Sequence, residues 1–496
     1  MFKKVLIANR GEIAVRIART CRAMGIATVA VYSEADPHAL HVREADEALP
    51  IGPAEAARSY LDVERIVGAA RQSGAQAVHP GYGFLSQNGD FVEAVERAGL
   101  VFIGPPAEVH RRMGDKQGAR KLMAAAGVPV VPGDDGDDQS EAALLAGAKR
   151  VGWPVLIKPS RGGGGKGMRV VRAAAEFASA LQGSRREARA AFGDDRVVLE
   201  RLVERPRHVE VQVLGDAGGT LLHLFERECS IQRRHQKIVE ETPSPALDAA
   251  LRARLCAAGV AAARAAGYVS AGTVEFLLTP AGEFYFLEMN TRLQVEHPVT
   301  EAVTGLDLVR LQIEIAAGRA LPLAQVDVVS RGHALECRLY AEDPDRDDLP
   351  APGRVLHLAP PVGPGVRFDS GVDAGSEVTV HYDPLLAKLI TWGADRAESI
   401  ERMAAALART AVLGVTTNHA RLRAIVDHPA FRAGALHTGF VDEHLGAAAT
   451  PVGPPAEAVA AAVAALHRSR GTTAARPPAA PDPWAALGAW RLGGGA

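Results

Sequence analysis

Strand-like and helix-like patterns alternate through the first 110 residues, and this alternation restricts how the amino-terminal part of the chain can fold. Val5–Ala8 is an apolar run typical of a buried strand, and Gly11–Met24 has apolar residues at helical spacing and stops before Gly25. Further strand-like runs lie at residues 28–32, 77–79 and 101–103. Strands that alternate with helices form a parallel sheet covered by helices, so we predict a doubly wound α/β domain here.

The composition narrows the class of protein. A chain of 496 residues is expected to hold about two to four domains. The net charge of −2 and the pI near 6.8 argue against a general nucleic-acid or membrane-surface binder. The four cysteines lie far apart without a Cys-x-x-Cys pair, which indicates a reducing compartment. No apolar stretch is long enough to span a bilayer and no leader precedes the first strand, so we expect a cytoplasmic enzyme.

The pattern changes after about residue 114, where the simple alternation stops. Over residues 155–203 a strand leads into a glycine loop, a second strand, a helix and a third strand. Antiparallel strands are predicted at residues 209–214 and 221–226, and a hairpin at 273–289 turns at residues 279–282. Residues 331–445 show a mixed α+β pattern, and from Ala447 the chain is rich in Ala, Pro and Gly, which is typical of a linker.

Four consecutive glycines, Gly162–Gly165, lie between the first two strands of that unit. Successive glycines let backbone N–H groups approach phosphates closely, and the alternative is a flexible surface loop. The loop does not match the Walker A pattern, because Ser160 and Gly167 stand where that pattern needs Gly and then Ser or Thr. We favour a mobile flap over nucleotide phosphates, with Lys158 reaching a phosphate from one side.

Every second residue from position 288 to position 296 is polar and capable of chemistry. These residues are Glu288, Asn290, Arg292, Gln294 and Glu296. Side chains alternate sides along an extended chain, so a strand here would point all five the same way over about 26 Å. The alternative is a solvated edge strand. The run follows an apolar strand and ends at Pro298, so we favour a groove that holds a nucleotide tail, its metal and a second small substrate.

Two glutamates are expected to face each other across the predicted hairpin. Glu275 and Glu288 lie on its two arms at similar distances from the turn. Like charges so placed are unfavourable unless a cation lies between them, and Mg²⁺ binds carboxylate oxygens together with substrate phosphates. Asn290 shares a face with Glu288 and can add a ligand. The alternative is a pair of exposed carboxylates on a wet sheet.

Basic residues gather at positions 207–208 and 227–237. Such a run is usually a solvated face, but here it joins strands that also approach the carboxylates. Lys237 is a candidate for holding a small anion or the charge that builds in a transition state. His208 and His235 are either nucleotide contacts or structural histidines, and the residues alone leave both readings open.

Arg338 lies on the polar face of a predicted strand. Residues 335, 337, 339 and 341 are apolar or small, so Arg338 points to the opposite side. A surface salt bridge with Glu336 or Glu342 is the alternative to a functional role.

Taken together, these residues closely resemble the biotin carboxylase family. The matching segments are residues 7–14 (IANRGEIA), 79–86 (HPGYGFLS), 113–116 (MGDK), 162–168 (GGGGKGM), 206–212 (PRHVEVQ), 232–237 (QRRHQK) and 288–300 (EMNTRLQVEHPVT). The similarity covers about residues 1–446 in order, which makes it far more specific than any single motif.

The resemblance implies a role for each matching residue. The ATP contacts it implies are Lys116, Lys158, Gly164, Gly165, Glu200, Arg201, Leu202, Val203, His208, Gln232 and His235, with residues 200–203 as the hinge strand beside adenine. The metal ligands it implies are Glu275, Glu288 and Asn290. The bicarbonate contacts it implies are Lys237, Arg292, Gln294 and the backbone of Val295. Glu296 is implied to be the general base and Arg338 to stabilise the biotin enolate, so that the catalytic set is Arg292, Glu296, Lys237 and Arg338.

The fold class implied is α/β and α+β, with an ATP-grasp centre. We expect a Rossmann-like domain at residues 1–114, an ATP-grasp domain at 115–320 with a mobile glycine-loop lid at about 133–203, and a C-terminal α+β domain at 331–445. Residues 446–496 are expected to be a linker and the possible start of a further domain. The implied cofactors are ATP and Mg²⁺ or Mn²⁺, and biotin is a carried substrate that is not attached to this chain.

The resemblance also implies partners. These are a biotin carboxyl carrier protein or domain, a carboxyltransferase subunit, and a second copy of the chain in a homodimer or a larger acyl-CoA carboxylase complex, with Arg19 and Arg367 at the dimer interface. Ala23 stands where the family usually has a glutamate near that interface. No nucleic-acid or membrane partner is expected.

Some features favour one branch of the family. Arg161, Lys166 and residues 381–388 look most like the α subunits of the 3-methylcrotonyl-CoA carboxylase type. Those subunits continue into a subunit-contact domain and a biotinyl domain, whereas this sequence contains no Met-Lys-Met. Residues 483–492 resemble the beginning of the missing part, so we expect a truncated α subunit or a subunit that receives biotin in trans.

Three alternatives remain at this stage. The first is another ATP-grasp ligase, which joins a carboxylate to an amine; Arg338 and the stretch from Arg292 to Glu296 weigh against it. The second is a scaffold that keeps the fold without turnover, although every expected reactive residue is present. The third is a nicotinamide oxidoreductase, which lacks its Gly-x-Gly-x-x-Gly fingerprint because the chain reads Asn-Arg-Gly-Glu-Ile at residues 9–13.

Overall fold

The amino-terminal elements of the computed structural model, which describes residues 1–134, 136–160, 167–234 and 236–446, alternate as predicted. They are β1 (Lys4–Ile7), α1 (Gly11–Ala23), β2 (Ala27–Ser33), α2 (Leu40–Glu44), β3 (Glu47–Gly52), α3 (Val63–Gln72), β4 (Ala77–His79), α4 (Gly89–Arg97), β5 (Val101–Phe102), α5 (Ala107–Gly114) and α6 (Lys116–Ala125). The strands form a parallel sheet in the order β3-β2-β1-β4-β5, which confirms the doubly wound prediction. Val5 and Ile7 pack with α1 on one face, and Leu6 packs with α3 and α4 on the other.

The predicted glycine-loop unit has its own small sheet and core. Its elements are β6 (Gly133–Asp134), α7 (Glu141–Val151), β7 (Val155–Pro159), β8 (Arg169–Val171), α8 (Phe177–Phe192) and β9 (Val197–Arg201). The strands pair antiparallel in the order β6-β9-β7-β8. Leu144 of α7 and Phe177 of α8 pack in one core with Val155 and Ile157 of β7. The glycine run itself lies outside the described residues.

The central region supplies most of a large antiparallel sheet. Its elements are β10 (Arg207–Gly215), β11 (Leu221–Arg233), β12 (Gln236–Thr242), α9 (Ala249–Ala266), β13 (Ser270–Leu278), β14 (Phe284–Asn290), α10 (His297–Thr304) and α11 (Leu308–Ala316). The Asp248 carboxylate caps the start of α9 by accepting from the Leu251 N–H at 2.7 Å, and Gly267 ends that helix in the left-handed conformation.

The last region continues the same sheet. Its elements are β15 (His333–Tyr340), β16 (Glu342–Asp343), β17 (Leu349–Pro350), β18 (Gly353–Arg354), β19 (His357–Ala359), β20 (Val366–Ser370), β21 (Glu377–Val378), β22 (Leu385–Gly393), α12 (Arg396–Arg409), β23 (Ala411–Leu413), α13 (His419–Asp427), α14 (Pro429–Arg432) and α15 (Phe440–His444). Within the described ranges the strand order is β14-β13-β10-β11-β12-β15-β22-β20. Strands from the predicted ATP-grasp and C-terminal regions therefore share one sheet, and the residue limits of the predicted domains stay a prediction.

The predicted hairpin is confirmed in type and register. β13 and β14 pair antiparallel, and Glu275 stands opposite Glu288. Glu275 also stands opposite Glu210 on β10, so three glutamates lie side by side across three strands. Searching the described part of the chain for a helix suited to crossing a membrane gives none.

Candidate active site

Lys237 is the centre of the buried charged cluster on the large sheet. Its Nζ atom lies 2.6 Å from Glu210, 2.8 Å from Glu275 and 2.8 Å from Glu296. Burial disfavours its charge, but the three carboxylates outweigh burial and hold the Lys237 pKa well above its usual value. Lys237 thus contacts three carboxylates of the protein, and its role as an anion holder stays a prediction.

The run from Glu288 to Glu296 is not one extended strand, so that prediction is wrong in its geometry. β14 ends at Asn290, the chain bends, and Glu296 immediately precedes α10. Leu293, between the polar residues, is fully buried in the core beneath the first sheet, and Pro298 lies in the first turn of α10. These two apolar anchors turn the chain away from the sheet, and the span of about 26 Å is not realised.

The polar residues converge nevertheless, through the bend and not through alternation. The Asn290 and Gln294 side-chain amides each donate to Glu275 Oε1 at 2.9 Å. Arg292 donates to Gln294 Oε1 at 2.8 Å and to Gln87 Oε1 at 2.9 Å. The bend therefore brings the side chains of Asn290, Arg292 and Gln294 together beside Glu275.

The predicted metal ligands form a set of hard oxygen donors. The carboxylates of Glu275 and Glu288 and the amide of Asn290 are the groups that Mg²⁺ or Mn²⁺ prefers, so the residues fit the ion. Asn290 Nδ2 faces both glutamates, at 2.9 Å from Glu275 and 3.4 Å from Glu288. Burial raises the Glu275 pKa, but Lys237 and His208 outweigh it and lower the pKa below its usual value, which keeps Glu275 ionised for a metal.

The predicted nucleotide residues lie on both sides of a small cavity. Lys116, Lys158, Glu200 and Glu288 line it, and Lys158 Nζ lies 2.7 Å from Glu200 Oε2. Burial lowers the Lys116 pKa, and nearby Lys158 lowers it further. Two lysines beside the carboxylates of Glu200 and Glu288 offer cations that phosphate oxygens can approach.

The predicted hinge residues 200–203 lie at the end of β9 and directly after it. Glu200 faces Lys158, while the N–H groups of Arg201 and Leu202 donate to the carbonyls of Pro132 and Pro154 at 2.8 Å and 3.0 Å. Those two N–H groups are therefore already used within the fold. Val203 follows the end of β9.

Two of the residues predicted to contact the nucleotide, His208 and Gln232, also contact each other. His208 Nδ1 and Gln232 Nε2 lie 2.8 Å apart, and His208 Nε2 lies 3.1 Å from Glu275 Oε2. His208 thus connects the nucleotide set with the metal set. Gly164, Gly165 and His235 lie outside the described residues.

Glu296 and Arg338 meet beside Lys237. Arg338 Nη2 lies 2.9 Å from Glu296 Oε2 and 2.5 Å from Glu240 Oε1. The alternative pairing of Arg338 with Glu336 or Glu342 as a surface bridge is wrong, because Arg338 is buried and Glu342 pairs with Arg233 at 2.5 Å. The predicted strand face is confirmed, since Leu335, Cys337 and Leu339 lie in the core on the other side.

The cationic side chains around Glu296 determine its pKa. Burial raises its pKa, but Lys237, Arg338 and Arg227 outweigh burial and hold the pKa well below its usual value. Glu296 is therefore an ionised acceptor that is neutralised by its neighbours. It becomes a stronger base whenever those cations turn to another anion.

A cavity of about 330 Å³ opens beside Arg338 and reaches the first domain. Its lining includes Tyr82, Glu12, Arg292 and Val295. Lys388, fully buried, donates to the Val295 carbonyl at 2.7 Å and lies 3.2 Å from Glu12. The Val295 carbonyl is thus already bonded, which leaves its N–H as the backbone group for the predicted bicarbonate contact.

Sequence reasoning missed several residues that build this site. They are Glu12, Tyr82, Glu210, Arg227, Glu240 and Lys388. The strict alternation of valine and polar residues over positions 208–213 was a usable signal for Glu210. Arg227, fully buried and 2.6 Å from Glu210, sits in a basic run that looked like a solvated face.

Comparisons with known protein families agree with this geometry. Residues 1–110 match the biotin carboxylase N-terminal domain, residues 115–324 match the ATP-binding domain of the carbamoyl-phosphate synthase L chain, and residues 336–443 match the biotin carboxylase C-terminal domain.

Individual proteins show the same similarity. The rat methylcrotonoyl-CoA carboxylase subunit alpha is 52% identical over 442 residues, which cover 89% of this chain and 62% of that protein. The biotin carboxylase of Nostoc sp. is 53% identical over 442 residues, with 89% and 99% covered. A biotin carboxylase structure from Campylobacter jejuni has a TM-score of 0.87 and 43% identity, with 90% of this chain and 99% of that chain covered.

The fold and the site define an enzyme of the ATP-grasp class. Lys237 and Glu296 lie in the second matched domain, and Arg338 lies in the third. The chain belongs to the biotin carboxylase family. It spans 62% of the length of the rat and mouse methylcrotonoyl-CoA carboxylase α subunits.

Proposed function

We propose that this chain carboxylates N1′ of biotin with bicarbonate and ATP, by way of carboxyphosphate, as the first half-reaction of an acyl-CoA carboxylase. The observation that carries the proposal is the contact of Lys237 and Arg338 with the same carboxylate, Glu296, next to the oxygen donors of Glu275. The groups proposed as anion holder, base and metal ligand thus share one buried cluster, which supports the proposal.

Bicarbonate activation depends on Glu296. A bicarbonate ion held by Lys237, Arg292 and Gln294 competes with Glu296 for the lysine. As the lysine turns to the new anion, the Glu296 pKa rises from its depressed value, and the carboxylate can accept the bicarbonate proton. The deprotonated bicarbonate is then a better nucleophile toward the γ-phosphorus of ATP.

Nucleotide binding uses the two lysines of the small cavity. Lys116 and Lys158 offset charge on the phosphates, and Lys158 exchanges its contact with Glu200 for a phosphate oxygen. Glu275, Glu288 and Asn290 would hold the metal ion, which supplies further neutralisation of phosphate charge when bound. Gly164, Gly165, Arg201, Leu202, Val203, His208, Gln232 and His235 complete the nucleotide contacts proposed.

Biotin occupies the cavity of about 330 Å³ beside Arg338. Phosphate released from carboxyphosphate takes the N1′ proton, and the Arg338 guanidinium faces the ureido oxygen, where negative charge collects. The N1′ atom then attacks CO₂ inside the closed site. Exclusion of water protects the reactive intermediate.

The test is ATP hydrolysis measured with bicarbonate and free biotin. We expect stimulation by biotin in the wild type and a loss of roughly 100-fold or more in Glu296→Gln, the usual scale for a general base. Nucleotide affinity should be unchanged in this variant. Glu283→Gln, an exposed glutamate at the hairpin turn, is the matched control and should behave as wild type. Stimulation by an amino acid in place of biotin would indicate the carboxylate–amine ligase instead.

The partners and the location are part of the same proposal. A carrier protein or domain presents biotin, a carboxyltransferase subunit takes the carboxyl group to an acyl-CoA, and two copies of the chain pair as a homodimer. The cytoplasm is the proposed location, although several of the similar proteins are named as mitochondrial. Pull-down of a biotinylated protein from the source cell, followed by identification of the carboxylated acyl-CoA, tests the assignment.

A further inference from the structure

Two glutamates that the mechanism above does not use lie buried behind Arg338. Glu240 on β12 and Glu336 on β15 are register partners across the two strands, and neither has any exposed surface. Residues opposite each other on antiparallel strands have their Cβ atoms within about 5.5 Å. Two carboxyl groups so placed cannot both be ionised at moderate cost.

The surroundings of the pair are unequal. Glu240 Oε1 lies 2.5 Å from Arg338 Nη2, whereas Glu336 forms no ion pair within the described residues. Ile390 is the register partner of Glu336 on its other side. The charged and titratable groups that face the pair are Arg338 on β15, Lys237 on β12, Lys388 on β22, Cys229 on β11 and Glu296 before α10.

An ionised carboxylate without a donor is far more costly to bury than a neutral one. Burial raises the Glu336 pKa well above its usual value, and Glu240 raises it further against Lys388 and Arg338. Burial also raises the Glu240 pKa, to about 7, in spite of Arg338. Both directions agree with the geometry, in which Glu240 contacts a cation and Glu336 does not.

We propose that Glu336 carries the proton of this pair and Glu240 the charge, and that Glu240 is the residue that positions Arg338 for biotin. The proposal rests on the function proposed above. Arg338 is held by two carboxylates, Glu240 and Glu296. When Glu296 takes a proton from bicarbonate, its attraction for Arg338 weakens. Glu240 then remains as the anchor, and Arg338 can turn its other N–H groups toward the ureido oxygen without leaving its place.

The proton on Glu336 has a defined task in this scheme. A second negative charge beside Glu240 would draw Arg338 back from the cavity. A neutral Glu336 leaves one carboxylate to hold one guanidinium, and it can donate its own hydrogen bond to Glu240. Glutamine has the shape of a protonated glutamate. Glu336→Gln should therefore bind biotin as the wild type does, whereas Glu240→Gln should bind it more weakly.

The experiment compares Glu240→Gln, Glu240→Asp and Glu336→Gln in the biotin-dependent ATPase assay. We expect Glu240→Gln to raise KM for biotin by roughly 10-fold to 100-fold, the loss of one charged hydrogen bond, with KM for ATP within about 2-fold of wild type. Glu240→Asp keeps the charge and should recover part of the loss. Glu336→Gln should keep kcat and KM for biotin within about 2-fold. The matched control is Glu241→Gln, because Glu241 is equally buried on β12 but binds His333 and Arg396 on the opposite face.

A second measurement does not depend on activity. The infrared spectrum of the wild type at pH 7 should contain a carbonyl band of a protonated carboxyl that Glu336→Gln lacks. Absence of that difference overturns the protonated Glu336, and an unchanged KM for biotin in Glu240→Gln overturns its positioning role. If Glu241→Gln raises KM for biotin as much as Glu240→Gln does, the effect is structural and the positioning role also fails. If biotin does not stimulate ATP hydrolysis by the wild type, the proposed function is wrong. The infrared comparison would still show whether Glu336 is protonated.

Discussion

Lys237 carries more negative neighbours than one cation neutralises, and this imbalance explains the chemistry of the site. Glu210, Glu275 and Glu296 all lie within hydrogen-bonding distance of its Nζ atom; Arg227 pairs with Glu210 and Arg338 pairs with Glu296, whereas Glu275 has no arginine partner among the described residues. Three carboxylates around one ammonium leave room for further cations. The metal ion proposed beside Glu275 would balance this charge, and a bicarbonate ion could then draw the lysine from Glu296.

Lys237→Gln should destabilise the protein in a pH-dependent way. Without the lysine, the folded-state pKa values of Glu275 and Glu296 rise, so the folded state binds more protons than it does in the wild type. The stability deficit is then largest at high pH and narrows as pH falls, because the carboxylates are protonated instead of repelling. At pH 8 we expect a loss of about 3–5 kcal/mol, the cost of breaking a buried ion pair.

Thermal and urea unfolding of this variant between pH 5 and 8 measures the effect. Lys4→Gln is the control, since Lys4 forms a single partly exposed pair with Glu47 and should cost less than about 1 kcal/mol at any pH. A deficit that is the same at pH 5 and pH 8 would show that the lysine acts through packing and not through its charge.

At the level of secondary structure, the close approach of α9 to β10 supports the strands that carry the site. A Cβ atom added at Gly259 would lie 2.7 Å from Val211 Cγ1 and 2.8 Å from its Cβ. Val211 is fully buried between Glu210 and Gln212 on β10. The glycine therefore lets the helix lie against the strand that presents Glu210.

Gly259→Ala and Gly68→Ala should change stability in opposite directions, although both put alanine into a helix. Gly259→Ala overpacks the contact with Val211 and should cost about 1–3 kcal/mol. Gly68 lies on α3 with nothing within 4 Å of the added atom, so alanine there should stabilise by about 0.5–1 kcal/mol. Chemical denaturation of both variants measures the change in the free energy of unfolding. A stabilising effect of Gly259→Ala would contradict the packing argument.

The sequence patterns predicted elements well where the periodicity is local. The strands β1, β2 and β4 and the hairpin register of Glu275 with Glu288 follow from apolar spacing and turn residues. The bend after Asn290 was missed, because alternation describes an extended chain and does not reveal that Leu293 is drawn into a distant core.

The sequence patterns also did not predict the charge pairs between residues that are far apart in the chain. Arg338 meets Glu240 and Glu296, which are 98 and 42 positions away, and not the glutamates on its own segment. Lys388 completes the site from β22, where it reads as an ordinary residue of an apolar strand. Such partners are fixed by the order of strands in the sheet, which local periodicity does not specify.

At the scale of the whole molecule, an open surface between the first and last regions is suited to a second copy of the chain. A cavity of about 660 Å³ there is lined by Arg16, Arg19, Glu301 and Arg367 among others. Arg16 and Arg367 both bind Glu301, at 2.7 Å each. Arg19 has 53% of its side chain exposed, yet its partner Asp369 is 1% exposed. An exposed arginine held in place by a buried carboxylate offers its remaining donors to a partner.

Arg19→Glu should therefore weaken a dimer by more than the loss of one contact. The variant places a glutamate beside buried Asp369, and in a symmetric pair the change occurs on both subunits. We expect the wild type to sediment as a dimer at micromolar concentration and Arg19→Glu to raise the dimer dissociation constant by roughly 100-fold, about 1.4 kcal/mol from each side. Arg58→Glu reverses a more exposed charge elsewhere in the first region and should leave the dimer intact. A wild type that remains monomeric at high concentration would exclude this surface as a dimer interface, whereas equal weakening by both variants would assign the effect to net charge.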